Sequence, residues 1–260
     1  MSDEHNEAAE LLGPLVREHR TRKTYLWTHL ITGGVFSLFG LGVAGKGIFA
    51  FAKEPTRENA VLWALLSVPF LLSGGFVVIS ALLRLPLRVA LHQGGLYYRG
   101  RRGEWAVPWP TIDGVYQKVL RVDQVGIGVA VRDVYTIALQ DGTMLEVDHH
   151  FADVDAFGDA LVHQVTHMLL PGHQEAFRAG QTLRFGDVGI DKGGIHADGK
   201  SLPWGEVESL SCKQGILATD KSFLQIKRVG GLLAWAKVPV EKVKNYDVLM
   251  RIASEMTRIV

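Results

Sequence analysis

Apolar positions are distributed unevenly along the chain. Between residues 25 and 83 they follow one another almost without interruption, and from Arg84 onward charges return every few positions among many glycines. Leu26 to Gly45 is a run of 20 residues with no acidic or basic side chain apart from His29. At about 1.5 Å per residue, a helix of that length covers roughly 30 Å, the thickness of a hydrocarbon core. Ala60 to Leu83 adds 24 residues with no ionisable group, enough to cross with some tilt. The pattern predicts a transmembrane helical hairpin over 25–84, with spans at about 26–45 and 60–83. Residues 1–24 are read as a cytoplasmic N-terminal tail. Lys53–Asn59, containing Pro55, is the polar connector, and Lys46 is expected to snorkel to the same interface. Gly33, Gly34, Ser37 and Gly40 in the first span, and Ser67, Ser73, Gly74 and Gly75 in the second, allow close helix approach. Pro69 is expected to kink the second span. No carboxylate or arginine sits in mid-span, which argues against a transporter.

Basic residues flank the hairpin asymmetrically. Arg17, Arg20, Arg22 and Lys23 precede it and Arg84, Arg88, Arg99, Arg101 and Arg102 follow, against Lys46, Lys53 and Arg57 around the connector. The positive-inside rule therefore places both termini in the cytoplasm, with the protein multi-pass in a cytoplasmic (inner) membrane.

After the hairpin the pattern shortens to alternating segments and appears twice. Arg88–Leu96 with Gly94-Gly95-Leu96, followed by Val107-Pro108-Trp109, is matched by Asp187–Ile195 with Gly193-Gly194-Ile195 and Leu202-Pro203-Trp204; the first copy has four more residues between the motifs. The paired glycines are expected to supply positive φ at a turn, and the tryptophans apolar faces to a small core. Tyr135–Leu139 and Met144–Val147 flank the hairpin signal Asp141-Gly142 in the first copy. Gly215–Ala218, Phe223–Lys227 and Leu232–Ala236 are the counterpart strands in the second. Helix candidates at Val154–Leu169 and Asn245–Ile259 close the copies. The fold class is thus α+β: the hairpin, then two tandem modules at 85–170 and 178–260, each a β-sandwich or barrel closed by a C-terminal helix.

The glycine-aliphatic strand, the Pro-Trp strand and the closing helix resemble bacterial pleckstrin-homology-like (PH-like) domains. Leu183–Gly186, Gly194-Ile195, Leu202–Val207, Gly215, Trp235 and Lys242–Asn245 are similar to an uncharacterised bacterial family of membrane-anchored proteins, a domain of unknown function. The resemblance implies a fold and carries no functional residue with it.

A net charge of +1 gives no electrostatic reason to expect nucleic acid as a partner. The acidic, polar start lacks the basic region of a cleaved signal. The sole cysteine, Cys212, is expected to be a core thiol. Tyr97 to Trp105 puts Arg99, Arg101 and Arg102 at a hairpin tip flanked by aromatics, close in the chain to the membrane. Such a tip suits anionic lipid headgroups, and Arg99, Arg101, Arg102 and Trp105 are the candidate lipid-binding residues. His163 and His167 share a helix face, near Asp148, His149, His150 and His173, and define an alternative metal-dependent enzyme or sensor. Neither a Cys pair nor an acidic residue after His163 completes a metalloprotease pattern. Gly126-Ile127-Gly128 is not a nucleotide fingerprint, and no phosphate loop or serine elbow is found. The reading is a noncatalytic membrane-anchored scaffold or sensor without a cofactor, binding a protein partner, copies of itself or anionic lipid. A further alternative is an accessory subunit of a membrane complex.

Overall fold

The computed structural model describes residues 10–53, 57–83, 87–100, 103–124, 128–148, 150–214 and 222–260. The architecture is mixed α+β, with two long apolar helices near the N-terminus and several antiparallel sheets, none of them closed into a barrel.

The first strand precedes the helices. β1 (Leu15–Arg20) lies within the stretch expected to be a tail, and pairs antiparallel with β2 (Arg88–His92), Leu15 opposite His92 and Arg20 opposite Arg88. The connection between these neighbours is the whole of α1 (Lys23–Lys53) and α2 (Arg57–Leu82). β3 (Gly95–Gly100) and β4 (Gly103–Pro108) complete a four-stranded sheet in the order β1-β2-β3-β4. Ahead of β1, Leu12 is buried against Ala90 and Tyr97, and its carbonyl accepts from Gly94 N at 2.7 Å.

α1 is longer than the expected first span because nothing after Gly45 stops it. Lys46 lies with Nζ 5.7 Å from the Trp63 ring centre, a cation–π contact. α2 runs through Pro69 without interruption. The two helices lie side by side in opposite directions. A Cβ on Gly33 would come 2.8 Å from Val78, one on Gly74 2.5 Å from Ser37 Oγ, and one on Gly40 2.9 Å from Leu71. Gly34 and Gly75, expected in the same seam, face away, with no described atom within 4 Å of a Cβ placed there. Both helices are long and apolar enough to cross a membrane, and only 11% and 17% of their apolar windows is buried. A core helix of a soluble protein would be mostly covered.

A single 3₁₀ turn at Trp109–Thr111 leads into a second sheet of β5 (Ile112–Gln124), β6 (Gly128–Leu139) and β7 (Met144–Val147). Gly142 at the β6–β7 turn has φ +85°, as the Asp-Gly signal requires. α3 (Val154–Arg178) then packs Phe157, Leu161 and Val165 into the core made with Val89, Leu96 and Ile137. α3 exceeds the expected helix by two turns, and its last part, with Phe177, belongs to the next core.

The following strands run through the same order. β8 (Leu183–Phe185), β9 (Val188–Ile190), β10 (Gly194–Ala197) and β11 (Lys200–Pro203) form a four-stranded sheet. A 3₁₀ turn at Trp204–Glu206 leads to β12 (Val207–Gln214), β13 (Ser222–Arg228) and β14 (Ala234–Pro239), closed by α4 (Tyr246–Ala253). The expected strand at 215–218 lies outside the described residues. Leu232 and Leu233 were expected in a strand and instead sit fully exposed in the β13–β14 loop.

The two tryptophans occupy matching places. Each is buried, and Nε1 of Trp109 donates to Gln93 O at 2.9 Å and that of Trp204 to Asp191 O at 2.7 Å. The paired glycines are needed for a different reason from the one the sequence implied. Gly94, Gly95, Gly193 and Gly194 are not among the positive-φ residues; a Cβ on Gly95 would lie 2.3 Å from Val107 O, and one on Gly194 2.2 Å from Leu202 O. Close approach of two backbones excludes a side chain there.

Candidate functional site

β1 runs into α1 and α2 returns into β2, so both helices root at one end of the first sheet. That end is tied to the close of the adjacent sheet. Arg22 N donates to His150 O and Ala152 N to Arg20 O, each at 2.8 Å, and the Thr21 hydroxyl donates to Leu87 O at 3.3 Å. The His150 ring meets Tyr25 in the first turn of α1 edge-on at 4.7 Å between centroids.

Strand register lines up cations along this edge. Arg20 lies opposite Arg88, and Arg88 opposite Arg99. Directly opposed residues share a sheet face, so the three guanidinium groups form a row on the side away from the Val89–Leu96 core. Two carboxylates fasten the row. Glu18 takes Arg20 in a two-pronged pair at 2.9 and 3.0 Å and stands 3.9 Å from Arg88, while Glu104 takes Arg99 at 2.8 Å and the Tyr97 hydroxyl at 2.7 Å. Among the described residues the row sets three cations against two carboxylates, with exposed Arg22 and Lys23 next to it in the chain.

Of the residues singled out from sequence, Arg99 thus joins a row whose other members come from β1 and β2. Arg101 and Arg102 lie outside the described residues. Trp105 faces the opposite side, across from Tyr98 at 5.7 Å between ring centres. The glycines of this hairpin make room for those rings: a Cβ on Gly100 would lie 2.5 Å from the Tyr98 ring, and Gly103, at φ +145°, lies under Trp105. Arg20 and Arg88 were missed as site members. The signal was present only as basic residues flanking the apolar segments, because their alignment depends on pairing across an insertion of two helices.

On the Tyr98 side a cleft of about 680 Å³ opens between the β3–β4 hairpin and β7. Leu87, Tyr98, Trp105 and Phe151 give it apolar walls, and Glu146 and Asp148 border it. Asp148 holds His150 at both its ring (2.6 Å) and its amide (3.0 Å). The Tyr98 hydroxyl donates to Glu146 O at 3.0 Å, and burial, with Asp148 and Glu146 adding to it, pushes its pKa up.

The helix-face histidines of the alternative reading lie on another part of the surface. His163 and His167 line two adjoining depressions on α3 with Thr166 and Arg251, the first also containing Asp159 and Asp247. Among the described residues no three His, Cys, Asp or Glu side chains are placed to hold a metal ion, and His149 lies outside them. Cys212, expected in the core, is exposed on β12; its thiol pKa is pushed up by its partly enclosed setting and eased down by a bond with Tyr246.

The sequence pattern characteristic of DUF6585, a family of unknown function, matches residues 1–258. The chain belongs to this family. No curated protein matches it. The DUF6585 match runs through β1, both apolar helices and the sheets of the described residues.

Proposed function

We propose that this DUF6585 chain is a noncatalytic membrane-anchored scaffold or sensor. α1 and α2 cross a bacterial cytoplasmic membrane as a hairpin, and two tandem PH-like modules stand together on the cytoplasmic side. The first module lies against the bilayer and touches anionic headgroups; the second is offered to a protein partner or to another copy. The observation that carries this reading is the Arg20–Arg88–Arg99 row at the end of the sheet where both helices root. If the helices span, that edge faces the membrane surface, where each cation gains about 1 kcal/mol from anionic lipid.

The noncatalytic part of the reading takes account of one hydrogen-bonded chain. His196 lies between Asp191 Oδ2 and Ser201 Oγ, each at 2.8 Å, with the Asp191 carboxyl held below its ordinary pKa chiefly by His196. The other Asp191 oxygen accepts from the Gly193 and Gly194 amides. We read this set as the fastening of the β9–β10 turn on an open sheet face.

The test uses the full chain in nanodiscs, with hydrogen exchange read by mass spectrometry. Anionic lipid is expected to slow exchange in residues 15–20 and 88–92 relative to neutral lipid, with 183–213 unchanged as an internal reference. Glutamates in place of Arg20, Arg88 and Arg99 are expected to remove the difference, and identical exchange in both lipids overturns the headgroup reading. Orientation is read from Cys212: in intact cells a membrane-impermeant maleimide is expected to label it only after permeabilisation, and labelling without it overturns the cytoplasmic placement.

A further inference from the structure

The cleft beside the arginine row has the opposite electrostatic character to the row itself. Glu146 and Asp148 border it, and its wall carries the Tyr98 and Trp105 rings, tilted at 50° with their centres 5.7 Å apart. Aromatic faces attract cations through their quadrupole, and most strongly those with apolar substituents, such as alkylated ammonium groups. A carboxylate at the mouth adds direct charge attraction in a partly desolvated setting.

The site is built rather than incidental. Tyr98 is fixed through its hydroxyl to Glu146 O, and Gly100 and Gly103 leave room for the two rings against the hairpin backbone. Asp148 is oriented by two bonds from His150, whose ring rests on Tyr25 of α1. Leu87, immediately before β2, forms part of the same wall. The cleft therefore opens at the root of the helices, at the depth where lipid headgroups lie if the helices span.

We propose that this cleft binds the ammonium or trimethylammonium group of a phospholipid headgroup, the tilted Tyr98–Trp105 pair offering it an aromatic wall and Asp148 and Glu146 meeting its charge. The inference rests on the membrane placement proposed above and adds a second lipid contact of opposite sign. The row and the cleft lie on opposite faces of the sheet, so they are separate contacts with separate headgroups.

The experiment uses the full chain in a non-ionic, glycoside-headed detergent, with binding measured by calorimetry. The probes are dihexanoyl phosphatidylethanolamine, dihexanoyl phosphatidylcholine, dihexanoyl phosphatidylglycerol and free choline. With Arg20→Gln, Arg88→Gln and Arg99→Gln removing the row's own attraction for phosphatidylglycerol, the two ammonium-headed lipids are expected to bind about tenfold or more tighter than the glycerol-headed one, a difference of about 1.4 kcal/mol. A Glu146→Gln/Asp148→Asn variant is expected to lose most of that preference while its melting temperature holds. Trp105→Leu is expected to weaken phosphatidylcholine binding, and Trp105→Phe, which keeps an aromatic face, to restore much of it. Equal binding of all three lipids, or an unchanged preference in the carboxylate variant, overturns the proposal. Free choline binding as tightly as the lipid overturns the lipid source and leaves a soluble cation as ligand. Because no bilayer is involved, failure here is separate from failure of the anionic-nanodisc test, which reads the arginine row.

Discussion

Two glycines on α3 differ in what surrounds them, and the difference fixes the sign of a substitution. A Cβ on Gly158 would lie 1.8 Å from the Tyr135 ring, whereas at Gly172 no described atom lies within 4 Å. Gly158→Ala is expected to destabilise by about 1–3 kcal/mol through overpacking, and Gly172→Ala to stabilise by up to about 1 kcal/mol through helix propensity. Thermal melts of both variants check the pair. Asp133 on β6 gives a pH prediction. Burial raises its pKa to about 6, with a hydrogen bond from Asp155 and the charges of Asp155 and Asp159 adding to the shift, and one of its carboxyl oxygens is buried without a partner. A carboxyl whose folded pKa lies above its unfolded value favours folding when protonated. Its stabilisation is full below about pH 4 and lost as pH rises to about 6 and beyond. Asp133→Asn is expected to be the more stable protein at pH 7.5, by on the order of 1 kcal/mol after solvent screening, and to flatten the stability profile between pH 4 and 6. Chemical denaturation across that range reads both. Neither effect is legible in the sequence, where Gly158 is one glycine in a helix pattern and Asp133 one charge in a strand. The same limit applied to Gly95 and Gly194, whose recurrence was visible although its cause, the approach of Val107 O and Leu202 O, was not.

At the scale of elements, the apolar helices and most strands were legible because their periodicity is local, whereas β1 was not. Leu15–Arg20 is six residues with three charged side chains, and the strand it pairs with begins at Arg88. Reading the chain in order turns such a segment into a tail. The counterpart turn in the second sheet shows what the helices interrupt: β8 reaches β9 through Gly186, at φ +67°, and Asp187 alone. Bonds around that turn, Asp187 N to Lys242 O and Lys244 N to Phe185 O, match those of Arg22 with His150 and of Ala152 with Arg20. The helix pair is therefore an insertion at a hairpin. Joining residues 10–20 to 88–260 through a two-residue Gly-Asp turn is expected to give a water-soluble, cooperatively folded protein. Residues 88–260 alone lose the partner strand of β2 and the cover that Leu12 gives Tyr97, and are expected to aggregate. Size-exclusion chromatography and circular dichroism of the two chains decide it. Within the helix pair, Gly74→Leu is expected to lower the melting temperature in detergent by several degrees, and Gly75→Leu to leave it nearly unchanged, since only Gly74 faces Ser37 and Gly33.

The whole molecule is coupled by α3 and by one asparagine. α3 buries Phe157, Leu161 and Val165 in the first core and Phe177 in the second, so neither core is complete without it. Asn245, which precedes α4 at φ 53°, reaches back across the boundary: its Oδ1 accepts from Val115 N at 2.9 Å, its Nδ2 donates to Asp113 O at 3.3 Å, and its own N–H donates to Val115 O at 2.9 Å. Lys244 adds a pair with Asp113 at 2.8 Å. The residue before α3, Asp153, has the same left-handed conformation and no such cross-boundary role. Position 245 therefore combines a requirement of the fold with the link between units, and a left-handed backbone costs alanine about 1–2 kcal/mol more than it costs asparagine or glycine. Asn245→Gly keeps the backbone and removes the side-chain bonds, whereas Asn245→Ala removes both. In the wild type, exchange of amides in 88–115 and in 183–213 is expected to report one common unfolding free energy under urea. In Asn245→Gly the second set is expected to exchange at lower urea than the first, and in Asn245→Ala earlier still. If both sets continue to move together in Asn245→Ala, α3 and the remaining ties across the boundary, Lys244 with Asp113 and Lys118 with Glu241, suffice for the coupling.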